Sequence, residues 1–153
     1  MGKKLYNGFS NLKSNLKINL MKENYFKNFI AEFWIENGIL YLIYQQEAVV
    51  DKEAAIYLIK ERHKMTNKVS YPMFVDLRGM KYITRDAREE LKKGDGIKYV
   101  TAGAFLINNT IIRILSDYFI KFDKPPIPIK LFTDQEKALQ WLQQFKNREN
   151  LPR

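Results

Sequence analysis

Cysteine is absent from the 153 residues and histidine occurs once, at His63. Without thiols there is no disulfide framework, no thiolate metal site and no cysteine nucleophile. A single imidazole leaves most histidine-based catalysis without its partners. Long hydrophobic runs are missing too: the longest unbroken apolar stretch is Ile39–Tyr44, against the roughly 20 residues of a membrane-spanning helix. Asn and Lys interrupt the stretch after Lys3 and Lys4 at almost every step, so no continuous signal-peptide core forms. These absences point to a cytoplasmic location. What is present, 46% apolar and 28% charged residues, suits one globular domain with a core of its own.

Acidic side chains are the scarcer sign, 17 against 26 basic ones, for a net charge of +9. Taken whole, that charge suggests nucleic acid or an anionic membrane. It is unevenly spread. Residues 1–28 hold six lysines against Glu23 alone, a net +5, and leave only +4 for the remainder. Within this basic, Asn-rich extension Leu5, Phe9, Leu12, Leu16 and Leu20 form a stripe at helical spacing, with Asn7, Asn11, Asn15 and Asn19 as a second. A helix over residues 1–20 would be a basic amphipathic arm able to lie on an anionic membrane surface. The asparagines lower helix propensity, so a flexible extension is the favoured expectation. Met21 offers a second start point.

From Phe29 onward the pattern becomes regular. Phe29–Glu36 and Ile39–Gln45 are β-rich runs joined by Asn37-Gly38, the strongest short hairpin signal, because both turn residues need positive φ. Asp51 can cap a helix running to about Met65, with Ala54, Ala55, Leu58, Ile59 and Arg62 at helical spacing and Lys60 to Lys64 on a solvated face. Tyr71–Leu77 reads as a buried strand that Pro72 can only begin. After a loop beyond Gly79, Thr84 caps a second helix ended by Gly94-Asp95-Gly96. Lys98–Ile107 is a strand covered on both faces. A third helix starts at Asn109 or Thr110, with Ile111, Ile112, Leu115, Tyr118, Phe119 and Phe122 facing inward. Pro125, Pro126 and Pro128 precede a last strand, Ile127–Phe132. Thr133-Asp134-Gln135-Glu136 then reads as a capping box with Thr133 at the cap.

This order predicts an α/β fold: a β-hairpin plus wound βα repeats, a five-stranded mostly parallel sheet with an antiparallel edge strand, and four helices. The extension covers residues 1–28, the domain 29–146 and a polar tail 147–153. Ligands on such sheets gather at the carboxyl ends of strands, here the loops after Gln45, Leu77, Ile107 and Phe132.

Catalytic motifs do not emerge. Gly94-Asp95-Gly96 has Tyr99 where a dinucleotide loop needs its third glycine, and it precedes a strand. His63 has no metal-binding partner at suitable spacing. No nucleophile elbow or phosphate loop occurs. Asp76 and Asp86 could pair as carboxylates, but loop hydrogen bonding and a helix dipole account for them equally well. A non-enzyme without cofactors is expected. Nucleic acid is not an expected partner, since the aromatics fall on faces predicted to be buried. One position has switch chemistry: a phosphate on Thr84 would meet free N–H groups at a helix start, with Arg78 and Arg85 able to pair with it.

Several of these residues resemble a known family. Glu36-Asn37-Gly38-Ile39, Phe74-Val75-Asp76-Leu77, Ile83-Thr84-Arg85-Asp86-Ala87, Lys124-Pro125-Pro126-Ile127-Pro128, Leu131-Phe132-Thr133-Asp134 and Ala138-Leu139-Gln140-Trp141-Leu142 are similar to STAS-like domains of the anti-anti-sigma type, nearest to uncharacterised stand-alone bacterial members. The resemblance spans about residues 29–145. It implies a non-catalytic regulatory domain that binds a protein partner, with homodimerisation open to it. In the family a Ser in an Asp-Ser-Ser-Gly pattern is phosphorylated. Here that stretch reads Thr84-Arg85-Asp86-Ala87, with Arg85 in the acceptor position, so Thr84 is the nearby hydroxyl and Thr84, Arg85, Asp86, Asp76 and Arg78 form the candidate partner surface. A lipid-binding branch of the same broad fold implies an alternative, a small apolar-ligand pocket lined by Tyr99, Phe105, Phe119 and Phe122.

Overall fold

The computed structural model describes residues 23–112 and 125–147. The basic extension up to residue 22, whether flexible or a helical arm, the Leu115, Tyr118, Phe119 and Phe122 expected to face inward, and most of the polar tail lie outside the described residues. The strands are β1 (Glu23–Lys27), β2 (Ala31–Glu36), β3 (Ile39–Tyr44), β4 (Ala48–Val50), β5 (Tyr71–Asp76), β6 (Met80–Ile83), β7 (Val100–Leu106) and β8 (Ile129–Phe132). The helices are α1 (Lys52–Thr66), α2 (Arg85–Leu91) and α3 (Gln135–Leu142), with a helical turn at 109–112 and 3-10 turns at Gly94–Gly96 and Gln143–Phe145.

The hairpin forms as its turn residues require. Asn37 and Gly38 take φ of 50° and 74°, and β2 pairs antiparallel with β3 from Glu36↔Ile39 back to Ala31↔Tyr44. β3, β5, β7 and β8 then run parallel, giving the order β1-β2-β3-β5-β7-β8. The sheet is therefore mostly parallel with antiparallel edge strands, as the α/β reading anticipates, but it has six strands where five were expected. The sixth is β1, which pairs antiparallel with β2 and so lies before the expected domain start at residue 29. Its ladder carries Phe26 opposite Phe33, with ring centroids 4.5 Å apart, a cross-strand aromatic pair of the kind that stabilises sheet edges.

A second, two-stranded parallel sheet was also missed. β4 and β6 pair through Val50↔Ile83 and Val49↔Tyr82, and β6 lies in the stretch beyond Gly79 that was read as a loop. Gly79 allows this turn: a Cβ there would lie 2.5 Å from the Tyr44 carbonyl oxygen and 2.8 Å from that of Gln45. Only glycine lets the backbone approach the end of β3 so closely.

Alternation along the strands divides the core. Phe33, Leu42, Tyr44 and Val75 pack with Ala55 and Leu58 of α1 and Ala87 of α2. The neighbouring residues Ile39, Phe74 and Ala104 meet Ala138 and Leu142 of α3 on the other face. Covering both faces explains why the parallel strands are nearly continuously apolar.

The helix caps need two adjustments. Asp134, one residue past the expected Thr133, caps α3 by accepting from the Lys137 N–H at 3.1 Å. Asn108 caps the turn at 109–112 by accepting from Ile111 N–H at 3.1 Å. Starting there, the helix buries Ile111 but leaves Ile112 exposed, against the inward position expected for it.

Candidate functional site

Two regions of chemical interest stand apart. The first is the expected partner surface. At the end of β5, Asp76 is 8% exposed and holds the Arg78 guanidinium in a fork, Nε to Oδ1 at 3.0 Å and Nη2 to Oδ2 at 2.7 Å, while the Arg78 backbone N–H donates to the same Oδ1 at 3.0 Å. This bidentate bonding raises the Arg78 pKa above its ordinary value. Arg78 is thus committed to Asp76. No hydrogen bond or ion pair joins this pair to Thr84 among the described residues.

Thr84 is the N-cap of α2, its Oγ1 accepting from the Ala87 N–H at 3.2 Å. Its own N–H donates to the Val50 carbonyl at 2.9 Å, which ties the start of α2 to β4. Arg85 and Asp86 follow, both exposed. Immediately before them, Val49 and Tyr82 sit side by side in the parallel ladder and are 51% and 54% exposed. Their neighbours Val50 and Ile83 point the other way and are buried. Lys81 and Glu47 form an exposed ion pair of 3.1 Å at the same small sheet.

The second region is a partly open pocket of about 110 Å³ between the sheet, α1, α2 and the 3-10 turn at Gly94–Gly96. Leu42, Val75 and Phe105 line it from the sheet, and Leu91 from α2. Into it projects Arg62, 3% exposed, from the last turns of α1. Its Nη2 donates to the carbonyls of Asp95, Gly96 and Lys98 at 3.0, 3.0 and 3.3 Å. His63 Nε2 lies 2.9 Å from the Asp95 carbonyl. A carbonyl only accepts, so that ring nitrogen carries the proton, and its 3.5 Å approach to Arg62 Nη2 joins two donors and is no bond. Arg62 Nε, buried, has no hydrogen-bond partner among the described residues.

Burial pulls the Arg62 pKa down to about 10, against the attraction of Tyr44 and Asp95. Burial likewise pushes Tyr44 up to about 12, with Arg62 opposing the rise. Tyr44 also lines the pocket.

The sequence reading set Arg62 within the inward stripe of α1 and also within its solvated Lys60 to Lys64 segment; it is buried. A cation repeating with Ala55, Leu58 and Ile59 was the available signal. The loop carbonyls that receive it are more than 30 residues away and carry no sequence signature. Of the expected pocket residues, Phe105 lines the cavity, whereas Tyr99 packs edge-on against His63 with centroids 5.2 Å apart. Phe119 and Phe122 lie outside the described residues. Among the described residues no group of three or more His, Asp or Glu side chains could hold a metal ion, and no helix is long and apolar enough to cross a membrane.

Residues 33–146 match the profile of a family described as a domain of unknown function, DUF7793. No curated protein matches the chain. Among solved structures, an uncharacterised DUF3478-family protein from Shewanella loihica PV-4 is similar at 16% identity and a TM-score of 0.48, covering 78% of this chain and 90% of that one. It is described as having a SpoIIAA-like fold.

Proposed function

The chain belongs to the DUF7793 family, and we propose that it acts there as a non-catalytic regulatory domain that binds a protein partner through the surface formed by β4, β6 and the start of α2. The observation that carries this reading is the exposure of Val49 and Tyr82 together, in register, next to Thr84. A half-exposed aromatic beside an aliphatic residue, rimmed by charges such as Arg85, Asp86 and Lys81, has the composition of an interface centre with a polar rim. Arg78 and Asp76 are locked together at the end of β5, with the Arg78 side chain 49% exposed.

Thr84 is the regulatory hydroxyl in this reading. Phosphorylation would place two negative charges where its Oγ1 now caps α2, beside the exposed Arg85. The partner, whether another protein or a second copy of the chain, would sense that charge directly.

Affinity capture with the full chain tests the proposal when wild type is run beside Tyr82→Ser, Val49→Ser, Thr84→Glu and a distant exposed control, Lys137→Ser, with sedimentation of each alone to register self-association. A specific partner or dimer lost in Tyr82→Ser and Val49→Ser, retained in the control and altered in Thr84→Glu is the expected result. Equal capture by all five, with equal sedimentation, overturns it.

A further inference from the structure

The cavity under α2 has a composition that the protein-binding surface does not account for. Its walls are apolar, yet three of its described lining residues, Arg62, Arg88 and Lys92, are cationic and none is a carboxylate. Arg88 donates to the Ile83 carbonyl at 3.0 Å, and Lys92 pairs with Glu89. Arg62 is the fully buried one of the three. Its acceptors are neutral backbone carbonyls, and its Nε–H, a donor with fixed direction in the plane of the guanidinium, has no acceptor among the described residues.

A buried cation is expected to be paired, and a buried donor to be satisfied. A water molecule could accept from Nε but would bring no charge. An apolar residue would suit the walls and leave Nε unsatisfied. We propose that this cavity is a binding site for a small organic monoanion, with a carboxylate accepting from Arg62 Nε and a compact apolar body against Leu42, Val75 and Phe105. Tyr44 lines the same pocket, and its hydroxyl is a further donor there.

Size sets the class of ligand. A dry cavity of about 150 Å³ accommodates benzene, so about 110 Å³ suits a single ring or a short branched chain and excludes a phospholipid acyl tail. Exposed Pro126 and half-buried Lys92 also belong to the lining, so the pocket opens toward solvent beside a cationic side chain.

The test uses benzoate as the probe and benzyl alcohol as its uncharged counterpart of similar size, titrated into the full chain by calorimetry and by chemical-shift mapping. Saturable benzoate binding about tenfold tighter than benzyl alcohol is expected from one charge-assisted hydrogen bond, with shifts at Arg62 Nε–H, Val75 and Phe105. Arg62→Met should erase the preference for benzoate, and Leu91→Trp, which fills the cavity from α2 and leaves Arg62 in place, should abolish binding of both. Benzoate binding no tighter than benzyl alcohol, shifts that map elsewhere, or a folded Leu91→Trp that binds benzoate like wild type overturns the proposal. Should Arg62→Met fail to fold, the wild-type shift map and Leu91→Trp decide it alone.

Discussion

Arg62 Nη2 donates to the Gly96 carbonyl at 3.0 Å across 34 residues of sequence, and so fastens the end of α1 to the turn that closes α2. Three carbonyls of residues 95–98 depend on this one nitrogen. Hydrogen bonds from a charged donor contribute about 1.5–3 kcal/mol each, offset here by the cost of burying the guanidinium. Arg62→Met is therefore expected to lower stability by about 2–4 kcal/mol in urea unfolding and to speed amide exchange across residues 94–98. Exchange that stays at wild-type rates there would show that the turn holds without Arg62.

Thr84 offers a smaller, local effect. Losing the Oγ1 acceptor for the Ala87 N–H should cost about 1 kcal/mol in Thr84→Ala, while Thr84→Asp, an equally good cap with a charge favourable to the helix start, should unfold at or above the wild-type temperature. Thermal unfolding of the two variants separates this capping role from any effect on partner binding.

Glycines 79 and 94 should respond very differently to alanine. At Gly79 the added Cβ meets two backbone carbonyl oxygens within 2.8 Å, so Gly79→Ala must push the β5–β6 turn away from β3, with a loss above about 3 kcal/mol. At Gly94 the space is open and only the φ of +54° resists, so Gly94→Ala should cost about 1 kcal/mol and Gly94→Asn nearly nothing. Parallel denaturant melts check both the order and the gap.

Alkaline pH probes Tyr44. Its pKa rises from 10.0 to about 12 in the fold because burial disfavours the phenolate. Between those values the unfolded chain has released a proton that the folded chain retains, so stability falls as pH climbs from 10 toward 12, by roughly 2–3 kcal/mol for this group. Arg62, whose pKa is lowered, acts with the opposite sign in the same range. Comparing wild type with Tyr44→Phe isolates the tyrosine. The variant should lose less stability over that interval, and near-ultraviolet tyrosinate absorbance should show one phenol fewer appearing on unfolding.

The local grammar of the chain was legible wherever backbone chemistry dictates it. Asn37-Gly38 demanded a hairpin, Asp51 and Thr84 announced their helices, and the apolar runs through Phe74 and Ala104 called for a two-sided sheet. Short elements escaped. β4 and β6 hold three and four residues, too few for a period to register, and each is a strand only because the other lies beside it. The same applies to β1: Glu23–Lys27 reads as the end of a basic extension until Phe26 meets Phe33.

Sequence alone determined the α/β alternation, the turn and cap positions to within a residue, and the exclusion of thiol chemistry, because each rests on neighbours in the chain or on residue types that are absent. Tertiary structure decided the candidate sites. Val49 and Tyr82 became an exposed pair through the register of two short strands, Arg78 was forked onto Asp76, and Arg62 was drawn against an apolar pocket by carbonyls more than 30 residues away. Charge and burial are set by what surrounds a side chain in space, and for those three groups the surroundings come from distant segments or from the exact path of a turn.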